Sequence, residues 1–552
     1  MVSCDAVIAD QQAEGVALEH FQRNLVALKE LQGDVVDLPD QPPEGLTWLL
    51  GRDGALTAQD PAGAWVTGCS LPLRAAESML ESMQATGGNV CFLAPDHAAQ
   101  LRAAFARLDA TQAILAIIPD LQAARFVLCG DDFVPEIRAS RLWMVAGEDW
   151  ARQLEKLLSI HEGLALPVSF IRLPVLEENR AQALIEAARA VFSAETSRRS
   201  RRLEEVRGRA QASQSAATDL MRVAVVAPSR FRLWDSAGWL LRRTIPAGRV
   251  GNAEITHFDP DDPRTASPVA LAEFASQSDA IVTVDAYRSQ MPGLVASDVP
   301  WLTWVTSPRI APPAADAPAD RLMLADESLH DAATAAGWSI DRIRLATWPP
   351  SPATSRSGEG IALLSDTCDF NTPPQKFELS SHQLLWQTIG EELRRNPLAV
   401  GEDINGYLNR WIERAGLDGS LVNRAMFIDR LIAPAFLQGV VKLLLSAGLP
   451  VHVYGSGWDQ VEGIGNAWGG EVRTIERFEQ VIASAGALLH PSPIRACHLC
   501  QAFGKPVLHG LHRTTENLVT AARQILSRHR AVELPSMTPL SVHRVLAMCP
   551  PA

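Results

Sequence analysis

Two short runs toward the end of the chain hold the residues best suited to chemistry. Val451-His452-Val453-Tyr454 is an apolar run that breaks into Gly455-Ser456-Gly457-Trp458. Ala487-Leu488-Leu489-His490 breaks into Pro491-Ser492-Pro493, and a helix-like stretch from Ile494 to Phe503 stops at Gly504-Lys505-Pro506. Glycines placed directly after a strand let backbone amides come close to an anion. A helix opening at Pro493 turns its free amides and the positive end of its dipole toward the same place. Ser456 adds a hydroxyl, and Arg495 has the forked geometry that pairs with a diphosphate. Strand, glycine turn, helix, strand, helix is the order of a nucleotide-binding α/β domain, whose ligand lies at the carboxyl ends of the strands. The competing readings are a turn that only joins strand to helix and, for Arg495, a surface salt bridge. Cys497, His498 and Cys500 share one stretch of helix, which cannot complete a tetrahedral zinc site, so no metal is expected.

These runs need a sheet beneath them, and the chain supplies the pattern for several. Short apolar runs alternate with amphipathic stretches from Leu46 to Leu173, with strands expected at Ala64–Gly68, Val90–Leu93, Ala113–Ile118 and Arg125–Cys129. Such alternation implies a parallel sheet covered by helices. Glu178 to Leu220 has helical composition, and its run Arg198, Arg199, Arg201, Arg202 reads as the solvated face of an exposed connector or a basic contact. A new unit opens with Arg222-Val223-Ala224-Val225-Val226-Ala227-Pro228, followed by apolar runs near 254–258, 280–284, 301–305 and 321–325. Trp348-Pro349-Pro350-Ser351-Pro352 reads as a linker. Ala362-Leu363-Leu364-Ser365-Asp366 then starts the last unit, with a helical insertion at about 382–445; the later stretch 514–530 is expected to pack back onto the preceding domain.

Bulk properties narrow the partners. A chain of 552 residues exceeds one core and implies about three domains. The net charge of −13 argues against a nucleic-acid partner. Eight scattered cysteines read as reduced thiols rather than a disulfide framework. No secretion signal and no run long enough for a membrane span are visible, so a cytoplasmic protein is expected.

Residues 221 to 530 resemble a GT-B glycosyltransferase, and most nearly the CgeB (spore-maturation) type. The likeness rests on Tyr454-Gly455-Ser456-Gly457-Trp458, Arg495 and Gly504-Lys505-Pro506. It implies two Rossmann-like domains in GT-B arrangement, at 221–350 and 351–552, with a cleft between them. Before these come an additional N-terminal α/β Rossmann-like domain (1–175) and a helical connector (176–220). That first domain resembles the N-terminal part of Maf-type flagellin-modifying proteins. The resemblance further implies a nucleotide-sugar donor as substrate, no other cofactor, and an acceptor that is a protein, a glycan or a small molecule. The donor-binding set is then Gly455, Ser456, Gly457, Trp458, Ser492, Ile494, Arg495, His498 and Gln501. Gln501 stands where the family commonly has a glutamate on the donor ribose, and a neutral amide lacks that charge-assisted bond.

An inverting transfer also needs a base on the acceptor side. Asp235, after the first strand of the 221–350 domain, and Asp285, after Val282-Thr283-Val284, are the candidates; Asp366 and Asp369 sit at a similar edge of the last domain. For Asp235 the rival role is capping the helix that follows. Two other functions stay open: a non-catalytic binding or scaffold protein, and a nucleotide-sugar epimerase.

Overall fold

The computed structural model describes residues 11–548 except 36–37, 67, 82, 84–87, 110, 214–219, 230–235, 308, 348–357, 369, 371–376, 378, 402–403, 420, 491–506, 510–514 and 528–539. The fold is mixed α/β, with parallel sheets flanked by helices. The chain forms two compact units. One holds the chain up to Gly208 together with Pro260–Glu273, and the other holds Arg209–Asp259 with the chain from Phe274 onward.

In the first unit, β1 (Thr47–Leu50) and β2 (Leu56–Gln59) form an antiparallel hairpin. The strands β3 (Val90–Leu93), β4 (Ile114–Ile118), β5 (Leu142–Ala146) and β6 (Ser169–Arg172) make a parallel sheet in the order β5-β4-β3-β6. Neighbouring residues of a strand face opposite ways. Phe92, Ile114, Ala116 and Met144 accordingly pack under one helical layer with Phe21 and Leu28, while Cys91, Leu115, Ile117 and Trp143 meet Leu154, Leu157 and Ala188 on the other. Both faces are covered, which is why these strands read as unbroken apolar runs.

The second unit contains two such sheets. β7 (Met221–Val226), β8 (Gly248–Val250), β9 (Ala253–Phe258), β10 (Ala280–Val284), β11 (Trp301–Val305), β12 (Arg321–Leu324) and β13 (Ile343–Leu345) lie in the order β13-β12-β11-β10-β7-β9-β8. Only β8 is antiparallel among them. β14 (Ile361–Leu364), β15 (Val451–Tyr454), β16 (Ala487–His490) and β17 (Val507–His509) are all parallel in the order β15-β14-β16-β17. The insertion between β14 and β15 is helical, chiefly Ser380–Arg395, Ile404–Arg414 and Ala433–Ser446, and buries Trp386, Leu408, Phe427 and Val440 against the sheet.

Four readings need correction. Among the described residues no strand forms at the expected Ala64–Gly68 position, where Trp65 makes only an isolated bridge to Gln59. Arg125–Cys129 is not a strand but part of the helix Leu121–Gly130, begun by the Asp120 carboxylate accepting from the Gln122 amide at 2.8 Å. Its apolar run comes from burial of Phe126–Cys129 in the core, not from a β conformation. The arginine run is solvated only in part: Arg201 is exposed, but its neighbours are not free. Arg199 is buried against Glu195 and donates to the Leu164 carbonyl, Arg198 pairs with Glu162 and Glu195, and Arg202 pairs with Glu273 at 2.8 Å. Finally, the helix Thr515–Ser527 packs on its own sheet through Leu518 and Ala522. The segment that crosses to the seven-stranded sheet is the last one: Leu540 and Val545, the latter on the helix Val542–Met548, join the core of Val223, Val282 and Trp304.

His97 offers a test of how firmly the first unit is packed. It caps the helix Ala98–Phe105, its Nδ1 accepting from the Ala99 amide at 2.9 Å, while the buried Nε2 has no partner. Burial pushes this imidazole down to about 4, against the pull of Asp53 and Asp131. The unfolded chain takes up that proton near pH 6.5, so stability is full at neutral pH and falls as pH drops toward 4. His97→Asn keeps a capping acceptor and removes the titration. Relative to the parent, its melting temperature is expected to improve between about pH 7 and about pH 4.5, by the equivalent of roughly 2 kcal/mol. A difference that does not change with pH contradicts the burial argument.

Candidate functional site

In a doubly wound sheet a ligand crevice opens at the carboxyl ends of the strands where the chain reverses direction across the sheet. In the last sheet that point lies between β14 and β16, because the chain goes from β14 to β15 on one side and then to β16 on the other. The loops at this edge are 365–368 after β14 and 455–458 after β15.

These two loops are bonded to each other. The Ser365 amide donates to the Tyr454 carbonyl at 3.0 Å, and the Thr367 amide to the Ser456 carbonyl at 3.1 Å. In return the Ser456 amide donates to Oδ1 of Asp366 at 2.8 Å, and the Trp458 indole to the Ser365 carbonyl at 2.6 Å. Trp458 is fully buried, so its ring anchors the turn in the core. Both glycines are required by space. A Cβ on Gly455 would stand 2.3 Å from the Ser365 oxygen, and one on Gly457 2.5 Å from the Thr367 methyl. Each also has a positive φ, 140° and 79° respectively, which side chains disfavour. The Gly455 amide donates to the Gly470 carbonyl at 3.2 Å, so this amide and that of Ser456 both meet protein acceptors. Ser456 itself is exposed at the rim, and Asp366 beside it is half-buried.

Neighbouring groups hold the loop pair from behind. Buried Gln438, on the helix Ala433–Ser446, donates to the Thr367 hydroxyl. Beyond β15, the Tyr454 ring fills the space a Cβ on Gly469 would need, and the Arg477 guanidinium lies over that ring at 5.7 Å.

The seven-stranded sheet reverses between β7 and β10. Asp285 closes β10 at this edge in a left-handed conformation, with φ of 47°. Its carboxylate accepts from the Thr306 amide at 2.8 Å and from the Thr306 hydroxyl at 2.5 Å, and its own amide donates to the Trp304 carbonyl at 3.0 Å. The next carbonyl, Ala286, accepts from Thr283, Thr303 and the Trp301 indole at 2.7 to 3.0 Å. A strained residue persists only where its surroundings over-determine it, and here they do. On the other side of β7, the Ser229 hydroxyl after that strand donates to the Asp259 carboxylate just past β9.

Asp285, Gly455, Ser456, Gly457 and Trp458 therefore lie at carboxyl edges, the first on one sheet and the rest on the other. Asp235, Ser492, Ile494, Arg495, His498 and Gln501 lie outside the described residues, as does Asp369. Thr306, Thr367 and Gln438 were not singled out from the sequence. A hydroxyl directly after an apolar strand run was the available signal for Thr306. Among the described residues no helix is long and apolar enough to cross a membrane. No cluster of three or more His, Cys, Asp or Glu able to hold a metal ion occurs among them.

No family model matches the chain, and no curated protein does. Among solved structures, the chain is similar to the MAf glycosyltransferase from Magnetospirillum magneticum AMB-1, with 14% identity, 52% of this chain and 53% of that one covered, and a TM-score of 0.23. It thus spans about half the length of that protein, and a likeness at this level carries no argument about chemistry.

The loop pair itself is open to test. Gly455→Ala places a methyl against a backbone oxygen that cannot rotate away, and should destabilise the second unit by about 3 kcal/mol or more. Urea melts that match the parent's would show that the loops are not packed as described.

Proposed function

We propose that the second unit is a sugar transferase that takes a nucleotide-diphosphate sugar as donor, its two sheets working in GT-B arrangement. One observation supports this above the rest. A single compact unit holds two doubly wound parallel sheets, and the end of the chain returns from the second to pack on the first through Leu540 and Val545. Two crevices at carboxyl edges suit a reaction with two substrates, donor on one sheet and acceptor on the other.

In this reading the donor lies along the carboxyl edge of β14 and β16, with Arg495 and the opening of its helix against the diphosphate. The acceptor hydroxyl faces the edge of β7 and β10. A carboxylate there, Asp285 or Asp235, takes its proton as the new glycosidic bond forms and the nucleoside diphosphate departs with the old bond's electrons. Thr306 orients Asp285 by bonding both carboxylate oxygens.

A second reading, a binding protein without transfer activity, is favoured by two specific features. The Ser456 amide is already taken by a carboxylate, and Gln501 replaces an expected acid. One screen separates the two. UDP-, GDP- or CMP-sugars at a hundredfold over Kd should stabilise a donor-binding unit by about 2.7 kcal/mol. Arg495→Ala should remove the shift, and incubation with acceptor extracts should release the nucleotide. If no nucleotide sugar moves the melting temperature, the donor assignment fails; binding without release favours the second reading.

A further inference from the structure

Resting on the sugar-transfer reading, we propose that Asp366 makes the Gly455–Trp458 turn a reader of sugar hydroxyls, so that the donor's sugar and not its diphosphate faces this turn. A glycine turn after a strand ordinarily offers its amides to phosphate. Here the Ser456 amide donates to Asp366 Oδ1, and the Gly455 amide to the Gly470 carbonyl. Two of the turn's amides are thus taken, and it carries a carboxylate where an anion would otherwise lie. A phosphate beside an ionised carboxylate meets like-charge repulsion, which lowers affinity by about tenfold or more even after screening by salt.

What the turn still offers is acceptor capacity. Among the described residues no protein donor reaches Asp366 Oδ2, and Ser456 is exposed with no side-chain hydrogen bond. Asp366 sits at the end of β14, which flanks the switch point, and Ser456 at the end of the adjacent β15. A carboxylate oxygen fixed by a backbone amide on its twin, next to a free hydroxyl, suits neutral hydroxyl donors, and the bond it makes to them is charge-assisted. The position is held rigidly, since Thr367 and Ser365 are locked to the partner loop on either side of Asp366. Asp366 is therefore a specificity residue for the transferred sugar.

The test compares UDP with UDP-glucose and GDP with GDP-mannose by calorimetry on the full chain. Asp366→Asn keeps an oxygen for the Ser456 amide and removes the charge, so the turn stays closed; Ser456→Ala changes only an exposed hydroxyl. Asp366→Asn should leave the free nucleotide diphosphate within about twofold of the parent and weaken the matching nucleotide sugar about tenfold, with a smaller loss in Ser456→Ala. The inference is overturned if Asp366→Asn tightens nucleotide and nucleotide sugar alike, or if neither variant changes the sugar's contribution. If the parent binds none of these probes, the sugar-transfer reading falls and the inference falls with it.

Discussion

The last sheet depends on how two adjacent strands, β14 and β15, end. Where parallel strands stop, their backbone groups run out of ladder partners, and each must still be satisfied. The loops after β14 and β15 satisfy one another, through Ser365 with Tyr454, Thr367 with Ser456, and the Trp458 indole with Ser365. Such close approach is possible only because Gly455 and Gly457 carry no Cβ. With Trp458 buried below and Gln438 reaching in from the helical insertion, one point ties together two strands, a turn and a helix.

The seven-stranded sheet meets the same need with different chemistry. It has no glycine at the end of β10, and Asp285 takes the left-handed conformation instead. Aspartate tolerates that region better than most residues because its short carboxylate can bond locally. The carboxylate holds Thr306 at the end of the neighbouring strand, and the reversed Ala286 carbonyl points back onto Thr283, Thr303 and Trp301. Both edges thus use a carboxylate to tie adjacent loops, and both lie beside the strand where the chain reverses. Both carboxylates are held rigidly, each by bonds to the neighbouring loop.

Much of this was legible in the chain. The apolar runs at 221–226, 280–284, 301–305, 361–364, 451–454 and 487–490 are strands, because parallel strands buried on both faces read as continuous β-branched and leucine segments. The same signal failed at Arg125–Cys129, since the end of that helix is buried all round and leaves a continuous apolar run. The three-residue strands β8 and β13 were too short to leave a pattern. The arginine run misled for another reason: its carboxylate partners Glu162 and Glu273 are distant in sequence, and only the fold brings them near. Asp366 was visible as an acid at a strand end. Its bond to Ser456, ninety positions away, was not.

The central claim is that ligand sits on the carboxyl edge formed by β14 and its neighbours. Hydrogen–deuterium exchange of the full chain, with and without a saturating nucleotide sugar, tests it most directly. Protection is predicted to concentrate in peptides spanning 361–370 and 451–460, whose loop amides a bound donor would shield. Protection confined to peptides from 90–172, or none at all under conditions of demonstrated binding, would contradict the account.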